Sequence, residues 1–421
     1  MMRRTGRSQH VPHLFALVWT SAAAFQLPPS NLNLRATSAA VMRVPRGAQT
    51  RHFPSARSLC AAAEGTALVA AENKPHNGFM HVEMPDRVTT MWDLFGKSGL
   101  QGRCQVLDAR EATEDELLKV HTPEHVKAVV EGTAQKDPST YFHKKNGASS
   151  TAARLAAGGT IQVMEAVCEG RAANGFCATR PPGHHAEPEH MMGFCIFNSV
   201  AVAAQVAKEK YAKKRILIFD WDVHHGNGIQ SAFFSDPEVL YMSVHRGGVE
   251  QSFFYPGSGT ARELGEGAGE GYNINIPIEL AGSGDAVYEM AMQRLVLPIA
   301  NAFNPDLVMV SAGFDAASGD PLGEMEVSPS MFGRMCRQMM QVADEHADGQ
   351  IVLSLEGGYN CEVTAECGAE CVKALLREEG AGQERLSPEP GWEQAAVESF
   401  DKISRDLACR YRAFWPAIGD F

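Results

Sequence analysis

The sequence predicts an α/β protein with a mainly parallel central sheet and helices on both faces, on three observations. Four short apolar runs each end in a polar, glycine-rich loop. The runs recur in a strand, loop, helix rhythm. The loops share one chemical theme, because each carries a histidine, a carboxylate or both. In an open parallel sheet, ligands bind at the carboxyl ends of the strands, so the four loops are expected to converge on one crevice.

In chain order, Gly175–Thr179 runs into Arg180-Pro181-Pro182-Gly183-His184-His185. The strand reaching Phe219 ends in Asp220-Trp221-Asp222-Val223-His224, an Asp-x-His that offers a divalent metal two ligands at one point. Val310-Ser311-Ala312-Gly313-Phe314-Asp315 ends on a further carboxylate, and Ile351–Leu355 leads into Glu356-Gly357-Gly358-Tyr359-Asn360. A reactive zinc site takes three protein ligands from His, Asp or Glu and leaves a fourth position to water, so the third ligand must come from a second loop. A lone His or Asp at a strand end is more often a satisfied turn residue. Four such ends with one theme argue for a site.

The segments Arg180–Glu187, Gly193–Asn198, Asp220–Gly228, Ser311–Asp315 and Leu355–Asn360 resemble, in order and spacing, the motifs of class II histone deacetylases. The resemblance runs from about Asn77 to about Leu375 and implies a single-domain arginase/deacetylase fold. By that resemblance Asp222, His224 and Asp315 would hold one Zn²⁺. His185 would shuttle the proton, with His184 as its electrostatic partner oriented by Asp220. Tyr359 would donate to the developing oxyanion. Asp220, Ser243 and the carbonyls of Asp222, His224 and Val244 would form a structural site for a monovalent cation, K⁺. Asn227 stands where some relatives carry an aspartate that orients the second histidine, and a neutral partner raises that histidine's pKa less.

The same resemblance places Gly193, Phe194, Tyr255, Leu322 and Gly358 along a tunnel for an acyl-lysine stem. Polyamine-specific relatives carry a glutamate at the Leu322 position to attract a distal ammonium; leucine cannot do this. The implied activity is therefore hydrolysis of N6-acetyl-lysine, or a longer acyl-lysine, in a protein or peptide substrate. The alternatives are an acetylpolyamine or other small-molecule amidohydrolase and a non-catalytic acyl-lysine reader. A reader is disfavoured because every ligand and Tyr359 are retained. A binuclear manganese ureohydrolase would need further carboxylates.

The 421 residues, 44% hydrophobic, suffice for a large core. No apolar run reaches the roughly 18 residues of a membrane span. Ten cysteines without a Cys-x-x-Cys imply a reduced compartment. Residues 1–62 read as a targeting presequence: the first 60 hold eight arginines and no acidic residue, with a short apolar stretch, Leu14–Trp19, before Thr20–Phe25. The pattern is that of a complex-plastid presequence, with a mitochondrion as the alternative and cytoplasm or nucleus less favoured. Without those arginines the rest holds 30 basic against 50 acidic residues. That surface repels nucleic acid and favours Lys-rich protein substrates.

The deacetylase domain is expected over 75–378, followed over 379–421 by a linker and a C-terminal helix able to dock on the domain or on another subunit. Val82, in His81-Val82-Glu83-Met84-Pro85, departs from the family's His-Pro-x-x-Pro, with an effect expected at a rim or interface. Lys136–Ser150 reads as a polar rim loop. No internal repeat is present, so a tandem pair of such domains is not encoded in this sequence.

Overall fold

The four apolar runs are the four central, mutually adjacent strands of one sheet. In the computed structural model, which describes residues 65–143, 147–381 and 391–421, eight parallel strands pair laterally. They are β1 (Thr66–Ala71), β2 (Gln105–Asp108), β3 (Asn174–Thr179), β4 (Ile216–Asp220), β5 (Val239–Arg246), β6 (Asn273–Ile278), β7 (Leu307–Ala312) and β8 (Ile351–Leu355). Their order is β2-β1-β3-β8-β7-β4-β5-β6. The loops after β3, β8, β7 and β4 therefore emerge side by side, as the sequence predicts.

The strands read as continuous apolar runs because both faces are covered. Along β4, Ile216 and Ile218 enter one apolar cluster, and Leu217 and Phe219 the cluster on the opposite face. Helices Ala148–Cys168 and Ser199–Tyr211 supply the first cluster; Pro329–His346 and Cys361–Leu375 supply the second. Helix starts follow local chemistry. Ser328 Oγ accepts from the Met331 N–H ahead of Pro329, and Asn360 Oδ1 accepts from the Val363 N–H.

The sheet starts earlier than the expected boundary at 75, since β1 pairs with both β2 and β3. The presequence expectation for 1–62 lies outside the described residues. The C-terminal helix Gly391–Tyr411 docks on its own domain: Leu407, Tyr411, Trp415 and Ile418 are buried in the second cluster. The Tyr411 hydroxyl donates to the Asn275 carbonyl on β6 at 2.5 Å, and Trp415 Nε1–H donates to the Gly271 carbonyl at 2.8 Å. These apolar side chains cover the β6 side of their own sheet. Among the described residues no helix is long and apolar enough to cross a membrane.

Candidate active site

Asp222, His224 and Asp315 come together as the sequence predicts, each offering a ligand atom within 4.8 Å of the others. His224 Nδ1 lies 3.1 Å from Asp222 Oδ1 and 3.0 Å from Asp315 Oδ2. Backbone donors aim the carboxylates: the Val223 N–H donates to Asp315 Oδ1 at 2.8 Å, and the Gly357 N–H to Asp222 Oδ2 at 2.8 Å. Both carboxyls are fully buried. Burial, reinforced by the neighbouring Asp222, pushes Asp315 up to about 7. Two carboxylates and an imidazole crowded in this way suit a cation such as Zn²⁺, whose charge relieves the repulsion and whose usual donors are N and O.

Gly313 is required by the same crowding. A Cβ there would stand 2.0 Å from Asp222 Oδ2. Gly313→Ala is expected to displace Asp222 and weaken zinc binding by about tenfold or more. Competition with a chromogenic chelator measures this directly, and unchanged affinity would contradict the crowding argument.

The histidines split into two electrostatic states. His184 Nδ1 is 3.0 Å from Asp220 Oδ2, and His184 Nε2 is 3.8 Å from Asp222 Oδ1. Although burial opposes it, Asp222 and Asp220 raise His184 to about 10. His185, its ring centroid 4.1 Å away, is driven well below the usual histidine value by burial and by His184 and His224. These opposite shifts favour a proton on His184 beside a neutral His185, the separation that acid–base chemistry needs. His185 Nδ1 sits 2.8 Å from Asn227 Oδ1, where the sequence places its partner.

Tyr359 lies two residues past Gly357, whose N–H binds Asp222. Burial lifts its hydroxyl well above the ordinary tyrosine value, against the pull of Arg87, so it remains a proton donor. Its backbone N–H donates to Asp320 Oδ2 at 2.6 Å, and Asp320 Oδ1 also accepts from the Leu322 N–H at 2.8 Å. Leu322 thus sits in a turn tied to the tyrosine. Gly358, at φ +113°, accepts from Arg87 Nε–H at 2.5 Å through its carbonyl. Of the residues expected along a tunnel, Gly193 backs onto the His185 ring. The Phe194 ring meets Tyr359 edge-on at 5.5 Å, and the Tyr255 ring meets His185 edge-on at 5.2 Å. Ser243 and Val244 lie on β5, with Ser243 in register with Asp220 on β4, so the side chains expected around the monovalent cation are neighbours.

Several functional residues escaped sequence reasoning. Glu356, at the end of β8, accepts from the Gly183 and His184 N–H groups at 2.6 and 3.0 Å and so holds the histidine loop; burial raises it to about 7. Its position just past a strand end was the available signal. Phe254 stacks on His224 at 5.1 Å, and the Arg246 guanidinium lies 4.5 Å from the Phe254 ring centroid. The Tyr241 hydroxyl donates to Asp220 Oδ2 at 3.0 Å.

The segment around Val82 is not confined to a rim. Its neighbour Glu83 is buried with Arg87 and Arg180, accepting from Arg180 Nε–H at 2.7 Å and Arg87 Nη1–H at 3.2 Å. Arg87 also donates to the Glu356 carbonyl and lies 4.9 Å over the Tyr359 ring. In the loop expected at the rim, Asp137 accepts from the Thr140 N–H at 2.9 Å, and the Phe194 N–H donates to Thr140 Oγ1 at 3.2 Å, tying that loop to Phe194.

Known proteins resemble this chain in sequence and fold. The histone deacetylase domain model matches residues 81–375. Histone deacetylase 5 of Arabidopsis thaliana is 42% identical over 360 residues, spanning 82% of this chain and 52% of that protein. Histone deacetylase 15 of the same plant is 45% identical over 342 residues, 80% of this chain and 59% of that protein. The human Polyamine deacetylase HDAC10 is 42% identical over 330 residues, 74% and 48% of the two chains. The crystal structure of the HDA15 HD domain superposes with a TM-score of 0.76 at 40% identity, covering 85% of this chain and 97% of that one. The chain spans about half the length of these curated relatives.

Proposed function

The chain belongs to the histone deacetylase family, with the class II-like motif set, and from that premise we propose that it hydrolyses the amide of N6-acetyl-lysine, or of a longer acyl-lysine, in proteins or peptides. The observation that carries the reading is the clustering of the Asp222/His224/Asp315 donor set, the His185 ring 5.8 Å from that of His224, and Tyr359 two residues past the Gly357 N–H that binds Asp222. Asp222, His224 and Asp315 would hold Zn²⁺, which when bound polarises the acyl carbonyl and acidifies water at neutral pH. His185 takes the proton from the attacking water and returns it to the departing lysine amine. His184, held by its hydrogen bond to Asp220 Oδ2, stabilises the negative charge that develops beside it. The Tyr359 hydroxyl donates to the carbonyl oxygen as it becomes anionic. Phe194 and Tyr255 flank the four-carbon lysine stem and exclude water from it.

One relative is named a polyamine deacetylase, which makes an acetylpolyamine the second reading. Leu322 favours lysine, since an apolar side chain gives no attraction to a distal ammonium. With zinc supplied, the full chain is expected to turn over an acetyl-lysine peptide faster than N-acetylputrescine, and Leu322→Glu to narrow that ratio. Faster turnover of N-acetylputrescine by the wild type would reverse the assignment. Absence of turnover on acetyl and longer acyl peptides, with one zinc bound, would favour the reader. The same proposal includes K⁺ beneath Asp220 and, from the arginine-rich composition of residues 1–62, plastid import, which a tagged chain in isolated organelles tests.

A further inference from the structure

We propose that Glu187 is a positioning residue for the base, locking the Asn227 amide so that Asn227 Oδ1 faces His185; the inference rests on His185 being that base. An aspartate beside a histidine can only accept, so it needs no orienting partner. An asparagine can present either end. With Oδ1 toward the ring, the imidazole carries its proton on Nδ1 and leaves the Nε2 lone pair for water. With NH₂ toward the ring, Nδ1 must accept and the proton moves to Nε2, where it blocks the base.

The geometry selects the first arrangement. Asn227 Oδ1 is 2.8 Å from His185 Nδ1. On its other side, Asn227 Nδ2 faces acceptors only: Glu187 Oε1 at 2.5 Å, Met192 Sδ at 3.3 Å and the His185 carbonyl at 3.4 Å. Glu187 is the strong acceptor of the three, because a charged oxygen forms the shorter and stronger hydrogen bond. Flipping the amide would press Asn227 Oδ1 against that carboxylate.

Glu187 is itself held in place. Its N–H donates to the His190 carbonyl at 3.1 Å, and its carbonyl lies 3.1 Å from the buried His121 Nδ1. The carboxylate borders a cleft of about 550 Å³ that also reaches Asn227 and Gln230, so its charge keeps contact with water. The charge that an aspartate would place against the histidine is thus displaced by one residue, and the neutral amide between them transmits orientation.

The test is a double-mutant cycle on the full, zinc-loaded chain with an acetyl-lysine peptide. Glu187→Leu is expected to lower kcat about 10- to 100-fold with KM and zinc content unchanged. Glu187→Gln, whose carbonyl still accepts from Asn227, keeps most of the activity. Asn227→Asp lowers kcat in the wild-type background, where two carboxylates would meet, yet raises it in the Glu187→Leu background. Wild-type kcat in Glu187→Leu, or no gain on adding Asn227→Asp to it, would overturn the proposal. A readout independent of turnover is the ¹⁵N shift pattern of the His185 ring, assigned with His185→Ala. The Nδ1–H tautomer in the wild type supports the lock even if no peptide is turned over; the Nε2–H tautomer refutes it. Loss of peptide turnover in the wild type would instead count against the deacylase reading alone.

Discussion

Replacing Tyr359 by phenylalanine is expected to lower kcat on an acetyl-lysine peptide by about 10²- to 10³-fold, with KM within a few-fold of wild type, because only a transition-state hydrogen bond is removed. The ring remains, so its edge-on packing against Phe194 and its place beneath the Arg87 guanidinium survive. Stability and zinc content should therefore be unchanged. Steady-state kinetics beside a zinc assay check the result. A phenylalanine variant with near-wild-type kcat would mean that the oxyanion is met elsewhere.

Glu83→Ala is expected to have the largest effect on stability, about 3–5 kcal/mol, because it leaves Arg87 and Arg180 buried without their shared counter-charge. Urea unfolding measures it. The same substitution should depress kcat, since Arg87 supports the Glu356 and Gly358 carbonyls immediately ahead of Tyr359. The pH dependence has a definite sign. Although burial opposes it, Arg180 and His76 hold Glu83 well below the usual carboxylate range. Its contribution is then fully present above about pH 4.5 and is lost as the pH falls toward the folded value. His121 adds to acid sensitivity from higher pH: burial and the adjacent His125 hold it at about 3, so the unfolded chain gains protons first once the pH drops below 6.5. The alanine variant should lose the Glu83 part of this acid dependence and keep the His121 part.

What was legible in the sequence was local. A parallel strand with a ligand at its carboxyl end writes its apolar run and its chemistry within about ten consecutive residues, so β3, β4, β7 and β8 and the residues they present could be read directly. Asp220, Asn227 and Tyr359 follow because each lies within such a run. The illegible parts depend on partners far apart. Glu83 meets Arg180 across 97 positions, and Arg87 meets Glu356 across 269, so nothing near Val82 announces an interior ion cluster. Strand β1 carries no site residue and is short enough to pass for a loop approach. The second acceptor on Asn227, forty positions away at Glu187, belongs to the same class. The C-terminal helix showed its apolar face in sequence but not which surface would cover it.

The strand order carries a mechanical consequence. Strands β2, β1 and β3 form one half of the sheet, and β7, β4, β5 and β6 the other; β8 alone joins them. The histidine pair hangs from the first half and the three metal-ligand side chains from the second. Ile351–Leu355 is thus the seam between the proposed base and the proposed metal site, and the last of the eight strands to be synthesised. Displacing β8 is expected to move base and metal site apart even where either half keeps its secondary structure. Turnover therefore reports whether that seam has closed, and a bulky substitution at Leu353 should uncouple catalysis from the helical content of either half.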